Sequence, residues 1–151
     1  MRANVRLLSL VAVLGGTGAS VAAPPSAPAP GVRWIQAVMV DPRLVARDGM
    51  QSVTAAVRLT QRAAMPMEIG IELAGGTPVR GNPAMQRVEC VWTYRKVYLS
   101  QRAILESFPI YTGGLQPRAG TPLATVPKTI TVTARHGSER VSTSFTVNCP
   151  R

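Results

Sequence analysis

Residues 129–149 read TITVTARHGSERVSTSFTVNC, and their parity decides the fold class. Ile130, Val132 and Ala134 alternate with Thr129, Thr131 and Thr133. A two-residue period with β-branched residues on both sides is that of a strand with one face buried. His136-Gly137-Ser138 supplies the turn of a hairpin. On the returning strand Val141, Thr143, Phe145, Val147 and Cys149 share one face. The cysteine thereby inherits an inward direction from its position alone.

The same period recurs upstream. Val53, Ala55, Val57 and Leu59 alternate with Thr54, Ala56 and Arg58. Met67, Ile69, Ile71 and Leu73 alternate with Glu68, Gly70 and Glu72, after which Gly75-Gly76 turns the chain. Over 88–94, Val88, Cys90, Trp92 and Tyr94 are predicted to face inward, opposite Glu89, Val91 and Thr93, with Arg95 and Lys96 exposed near a bulge. The interval 100–127 is the least regular: Ser100 suits the cap of a short helix over 101–105, and a strand over 103–111 interrupted at Pro109 is the competing reading. Gly113-Gly114, Pro117, Gly120, Pro122 and Pro127 then mark loops. Short strands separated by turn residues, without a helix-period segment of any length, predict an all-β domain of antiparallel sheets packed as a sandwich.

The beginning of the chain is of another kind. Arg2 and Arg6 precede an apolar run over 7–14 that Gly15, Gly16 and Gly18 break, the n-region and h-region of a secretory signal peptide. Small residues at Ser20 and Ala22 suit cleavage after Ala22, giving a signal peptide over 1–22. The apolar run falls short of the roughly 20 residues of a spanning helix, so the mature form is expected to have no transmembrane segment. Residues 23–31, A-P-P-S-A-P-A-P-G, form a proline-rich linker. The domain proper is expected over 32–151.

Two of the seventeen basic residues lie in that leader, which leaves fifteen against seven acids, a net charge of +8. The excess attracts anionic partners. It is nevertheless scattered arginine without a basic run or nucleic-acid motif, so specific nucleic-acid binding is not expected. Cys90 and Cys149 are the only cysteines. An even count in an exported chain implies one disulfide, and inward parity at both positions lets it tie sheet layers or neighbouring strands together. A redox-active pair would need the Cys-x-x-Cys spacing that is missing. The setting that follows is periplasmic or secreted.

The stretches Val40-Asp41-Pro42 and Asp48-Gly49 leading into 53–59, closed by the 129–147 hairpin, resemble the Ig-like domains of bacterial secreted and surface proteins. The resemblance covers the two ends of the domain, while 75–127 departs from the pattern. Antibody hallmarks do not match, because Trp92 stands two residues after Cys90, and Val147 stands where a tyrosine corner would be. Such a family implies a binding or spacer module rather than a chemistry.

Catalytic constellations do not assemble from the sequence. His136 is the only histidine, and it sits in the hairpin turn as a solvated residue. Glu68, Glu72 and Glu89 read as solvent faces of strands rather than as a glycosidase pair, so a small hydrolase remains a minor alternative, and no cofactor is expected. Met50, Met65, Met67 and Met85 offer thioethers for copper, but Met67 belongs to an apolar strand face where methionine fills core. Trp34, Trp92, Tyr94, Tyr98 and Tyr111 are the aromatics able to meet a sugar ring or a protein. Arg95, Lys96, Arg102 and Arg118, in and beside the irregular interval, are the expected contact surface for a protein or an anionic envelope polymer. The alternative from another class is a subunit of a surface assembly that exchanges β-strands.

Overall fold

A computed structural model of the chain describes residues 31–47, 50–113 and 124–151, and the folded unit is Val32–Arg151. The leader, nearly all of the linker, Asp48-Gly49 and Arg118 lie outside the described residues. Ten strands follow in order: β1 (Ile35–Arg47), β2 (Met50–Leu59), β3 (Met67–Leu73), β4 (Thr77–Val79), β5 (Asn82–Val88), β6 (Val91–Tyr94), β7 (Lys96–Leu99), β8 (Leu105–Thr112), β9 (Thr125–His136) and β10 (Glu139–Pro150). None of the described residues is helical. One sheet runs β1-β2-β8-β6-β5-β4 and the other β10-β9-β3-β7, and all pairings are antiparallel.

The alternating runs become strands with the expected inner faces. Val53, Ala55, Val57 and Leu59 of β2 are buried, as are Met67, Ile69, Ile71 and Leu73 of β3 and Ile130, Val132 and Ala134 of β9. With Phe108 and Ile110 of β8 and Phe145 and Val147 of β10 they form one apolar cluster drawn from both sheets. Alternation translates so directly because a one-residue slip would turn a whole strand inside out. On the opposite face of β9 and β10 the hydroxyls pair across the hairpin, Thr131 with Ser144 and Thr133 with Ser142, each at 2.8 Å.

The segment 88–94 is corrected by the structure. It is not one strand but the end of β5, a turn at Glu89-Cys90, and β6. Glu89 takes a left-handed backbone, φ 52°, and this turn reverses the parity downstream. Val91 and Thr93 are therefore buried, while Trp92 is half-buried and Tyr94 exposed. A bend at Arg95 divides β6 from β7, so consecutive segments of chain belong to different sheets. The Arg95 amide donates to the Ala84 carbonyl at 2.8 Å, and its carbonyl accepts from the Ile71 amide at 2.7 Å. The exposed bulge expected at Arg95 and Lys96 is this crossing.

The helix reading of 101–105 also fails. Residues 100–103 make a turn in which the Ala103 amide donates to the Ser100 carbonyl at 3.0 Å, and Arg102 is left-handed at φ 64°. The strand that follows carries Pro109 in mid-sheet between β2 and β6. Proline cannot donate to a ladder; here its carbonyl still accepts the buried Thr93 hydroxyl at 2.8 Å.

The disulfide is present: Cys90 in the β5–β6 turn is bonded to Cys149 on β10, Cα atoms 5.5 Å apart and both residues buried. It joins one sheet to the other. A buried polar side chain does the same nearby. The Gln86 carboxamide on β5 accepts from the Leu73 amide at 3.0 Å and donates to the Ile71 carbonyl at 2.6 Å.

Candidate functional site

The crossing at Arg95 creates an open concavity among the described residues. β7 pairs with β3 from Met67 only as far as Gly70, because at that level the chain leaves for the other sheet. Lys96 on β7 and Arg135 on β9 lie in register with Gly70 from its two sides. The glycine provides a side-chain-free floor between two cations. The β4–β5 hairpin stands alongside and contributes Pro78, Pro83 and Ala84, and Tyr94, Arg95 and Tyr98 complete an open cleft of about 870 Å³.

Each outward cation at the floor has a diagonal carboxylate on β3. Lys96 Nζ is 2.7 Å from Glu68, and Arg135 is 3.9 Å from Glu72. Hydrogen bonds from Lys96 and then from Tyr98 hold the Glu68 carboxyl below its ordinary range, and Glu68 in turn raises the Lys96 ammonium. Arg95 differs from these two. Among the described residues it has no carboxylate within ion-pair range, and its guanidinium makes a single long contact of 3.5 Å with the Pro83 carbonyl. The cleft therefore presents two tyrosines and one unneutralised guanidinium on a wall already balanced in charge.

His136 ends β9 at the rim. It is half-buried rather than a freely solvated turn residue, since Nδ1 lies 3.2 Å from the Glu68 carbonyl and its ring meets Trp34 edge to face at 6.4 Å. Glu68, Glu72 and Glu89 are exposed as expected. Met65 is exposed whereas Met67 is buried in β3, so these two thioethers do not converge.

The reversed parity of β6 has its own product. Trp92 and Tyr111 stack with centroids 6.1 Å apart and planes at 24°, and Tyr94 meets Tyr111 edge to face at 6.4 Å. This ring row covers the outward face of β6 and β8, and Tyr94 carries it into the cleft. Trp92 lies over Gly113, where a Cβ would come within 2.8 Å of the indole. A smaller hollow of about 530 Å³ beside the disulfide is bounded by Arg87, Glu89, Trp92 and Gly113.

Of the contact residues expected from sequence, Arg95 and Lys96 come together in the cleft. Arg102 lies at the other end of β7, in the turn before β8. Sequence reasoning singled out Tyr98 among the aromatics able to meet a ligand without placing it beside Arg95, and it missed Arg135 and Gly70, which join the site only through strand register. The nearest signal was the exposed position of Tyr98 on a run that alternates from Val97. No protein-family model matches the chain, and no curated protein or solved structure does either.

Proposed function

We propose that this chain is exported by a cleaved signal peptide and works in the periplasm or outside the cell as a non-catalytic binding module with an Ig-like β-sandwich fold. The disulfide between the sheets and the single apolar cluster drawn from both support the sandwich reading and the oxidising setting. The ligand is an extended acidic chain, an envelope polymer in the first instance and a protein segment in the second. One observation carries this reading: the unneutralised Arg95 between Tyr94 and Tyr98 on the wall of an open cleft. Rings with one polar end supply contact area, and the guanidinium supplies a paired donor for a carboxylate. The carboxylates and histidine of the same cleft are engaged structurally, by Lys96, Arg135 and Trp34.

Titration with acidic and neutral oligosaccharides, followed by amide chemical shifts, tests the assignment. Perturbations should centre on 94–98, and Arg95→Ala with Tyr98→Ala should weaken binding at least fivefold. Shifts elsewhere, or variants that bind as tightly as the parent, reject the cleft.

A second reading has an observation of its own. β10 pairs with β9 through twelve unbroken register positions and, among the described residues, has no hydrogen-bonded strand on its other side, where β1 runs close beside it without pairing. Displacement of β1 from that edge would open it to strand addition, as in an assembly subunit. A sedimentation profile that stays monomeric at millimolar concentration excludes it.

A further inference from the structure

The loops at the far end of β7 from Arg95 have a different character. Three segments converge there: 32–34 before β1, 60–66 between β2 and β3, and 100–104 between β7 and β8. Hydrogen bonds hold them as one surface. The Thr60 amide donates to the Trp34 carbonyl, the Leu59 amide to the Ile104 carbonyl, and the Arg102 amide to the Ala63 carbonyl, at 2.8, 2.8 and 3.1 Å. The Arg62 guanidinium adds a bond to the Arg102 carbonyl at 3.2 Å.

This surface exposes a group of apolar side chains. Val32 is 58% exposed, Met65 74%, Ile104 41% and Leu105 42%, four of the seven large hydrophobics exposed among the described residues. Around them stand Arg33, Arg58, Arg62 and Arg102, all exposed. Arg58 is directly opposite Leu105 across the β2–β8 ladder. Two carboxylates adjoin. Glu139 is engaged by the Trp34 and Ile35 amides and by Arg33, and Glu106 is half-buried on β8. The surface is therefore net cationic with protruding apolar tips.

We infer that this end is a membrane-contacting tip that seats on an anionic phospholipid bilayer, with the arginines at the headgroups and Met65, Ile104, Leu105 and Val32 dipping toward the acyl boundary. Charge complementarity selects the occupant. A soluble polyanion would use the arginines and leave the hydrophobics in water, whereas an interface with anionic lipid satisfies both. Arginine also suits such a boundary because its stem is apolar and its head remains charged.

The test uses the full chain with unilamellar vesicles. Phosphatidylglycerol-containing vesicles should bind it and pure phosphatidylcholine should not, and 0.5 M salt should release most of it. In the same chain, Arg58→Gln with Arg62→Gln should lower the partition about 25-fold, near fivefold for each positive charge removed from the headgroup layer, and Met65→Ser with Ile104→Ser should lower it independently. Hydrogen exchange on bound vesicles should slow at 60–66 and 100–105, which separates the tip from any contribution of residues 1–22. Equal partition of all variants, or protection confined to other segments, overturns the inference. So does binding of soluble polyphosphate or heparin that protects these segments while vesicles do not. A phospholipid result leaves the cleft reading untouched, because 94–98 should remain unprotected.

Discussion

Gln86 offers a perturbation whose size can be worked from the structure. Beyond Gly70, β3 loses β7 as a neighbour, so the groups of Ile71 and Leu73 on that side need other partners. The Ile71 amide finds the Arg95 carbonyl, and the Gln86 carboxamide takes the remaining two, acting as one peptide unit of a missing strand. Gln86→Leu keeps the volume and removes both bonds. A buried backbone group left without a partner costs about 1–3 kcal/mol, and some of that is offset because the glutamine no longer has to be dehydrated. The expected loss is about 2–4 kcal/mol, a drop of roughly 8–16 °C in melting temperature for a domain of this size. Gln86→Glu separates the donor from the acceptor. A protonated carboxyl can still donate to Ile71 and accept from Leu73, whereas a carboxylate cannot donate. The folded state should therefore raise that carboxyl above the unfolded value of about 4.3. A raised carboxyl binds more protons folded than unfolded, so the variant approaches parental stability below pH 4 and loses it as pH rises through the folded value. Urea unfolding at pH 4 and pH 7 reads both effects. A loss under about 1 kcal/mol for Gln86→Leu, or a rapidly exchanging Leu73 amide in the parent, would refute the strand-surrogate role.

Three further outcomes are expected. Cys90→Ala with Cys149→Ala opens a loop with a sequence separation of 59 and should cost about 4 kcal/mol in the chain-entropy model, read as a denaturation midpoint against the oxidised parent. Gly113→Ala drives a methyl to within 2.8 Å of the Trp92 ring and 3.3 Å of the Cys90 carbonyl, so indole fluorescence and near-ultraviolet dichroism should change together with a lower melting temperature. For the Glu68–Lys96 pair, carbon-detected titration should place the Glu68 carboxyl below free glutamate, and Lys96→Met should return it upward. Because that carboxyl is depressed in the folded state, its contribution is present above the unfolded value and fades as pH falls through the folded one. The raised Lys96 contributes below its unfolded value and fades as pH rises through its folded one.

The strands over 53–59, 67–73, 130–134 and 141–149 were legible because one face of each is apolar and the other polar, the pattern that burial itself imposes. What escaped has a physical cause that residue type conceals. The turns at Glu89 and Arg102 use left-handed backbones on residues that carry no turn signal, so 88–94 looked continuous and 100–105 looked helical. Pro109 read as a break yet lies within a strand. The cleft depends on register among β3, β7 and β9, a long-range property, and on the crossing at Arg95, of which sequence showed only the exposure. The tip was foreshadowed by Arg102 alone; its hydrophobics are separate in the chain and meet only through hydrogen bonds between loops.

The bond between Cys90 and Cys149 also governs timing. Synthesis delivers the first thiol 59 positions ahead of the second, which resides on β10. During that interval the earlier sulfur is an unsatisfied nucleophile whose correct mate does not yet exist. Any oxidant acting too soon would trap it on a foreign thiol, and covalent closure becomes a certificate that the strands between the two sulfurs have already been threaded.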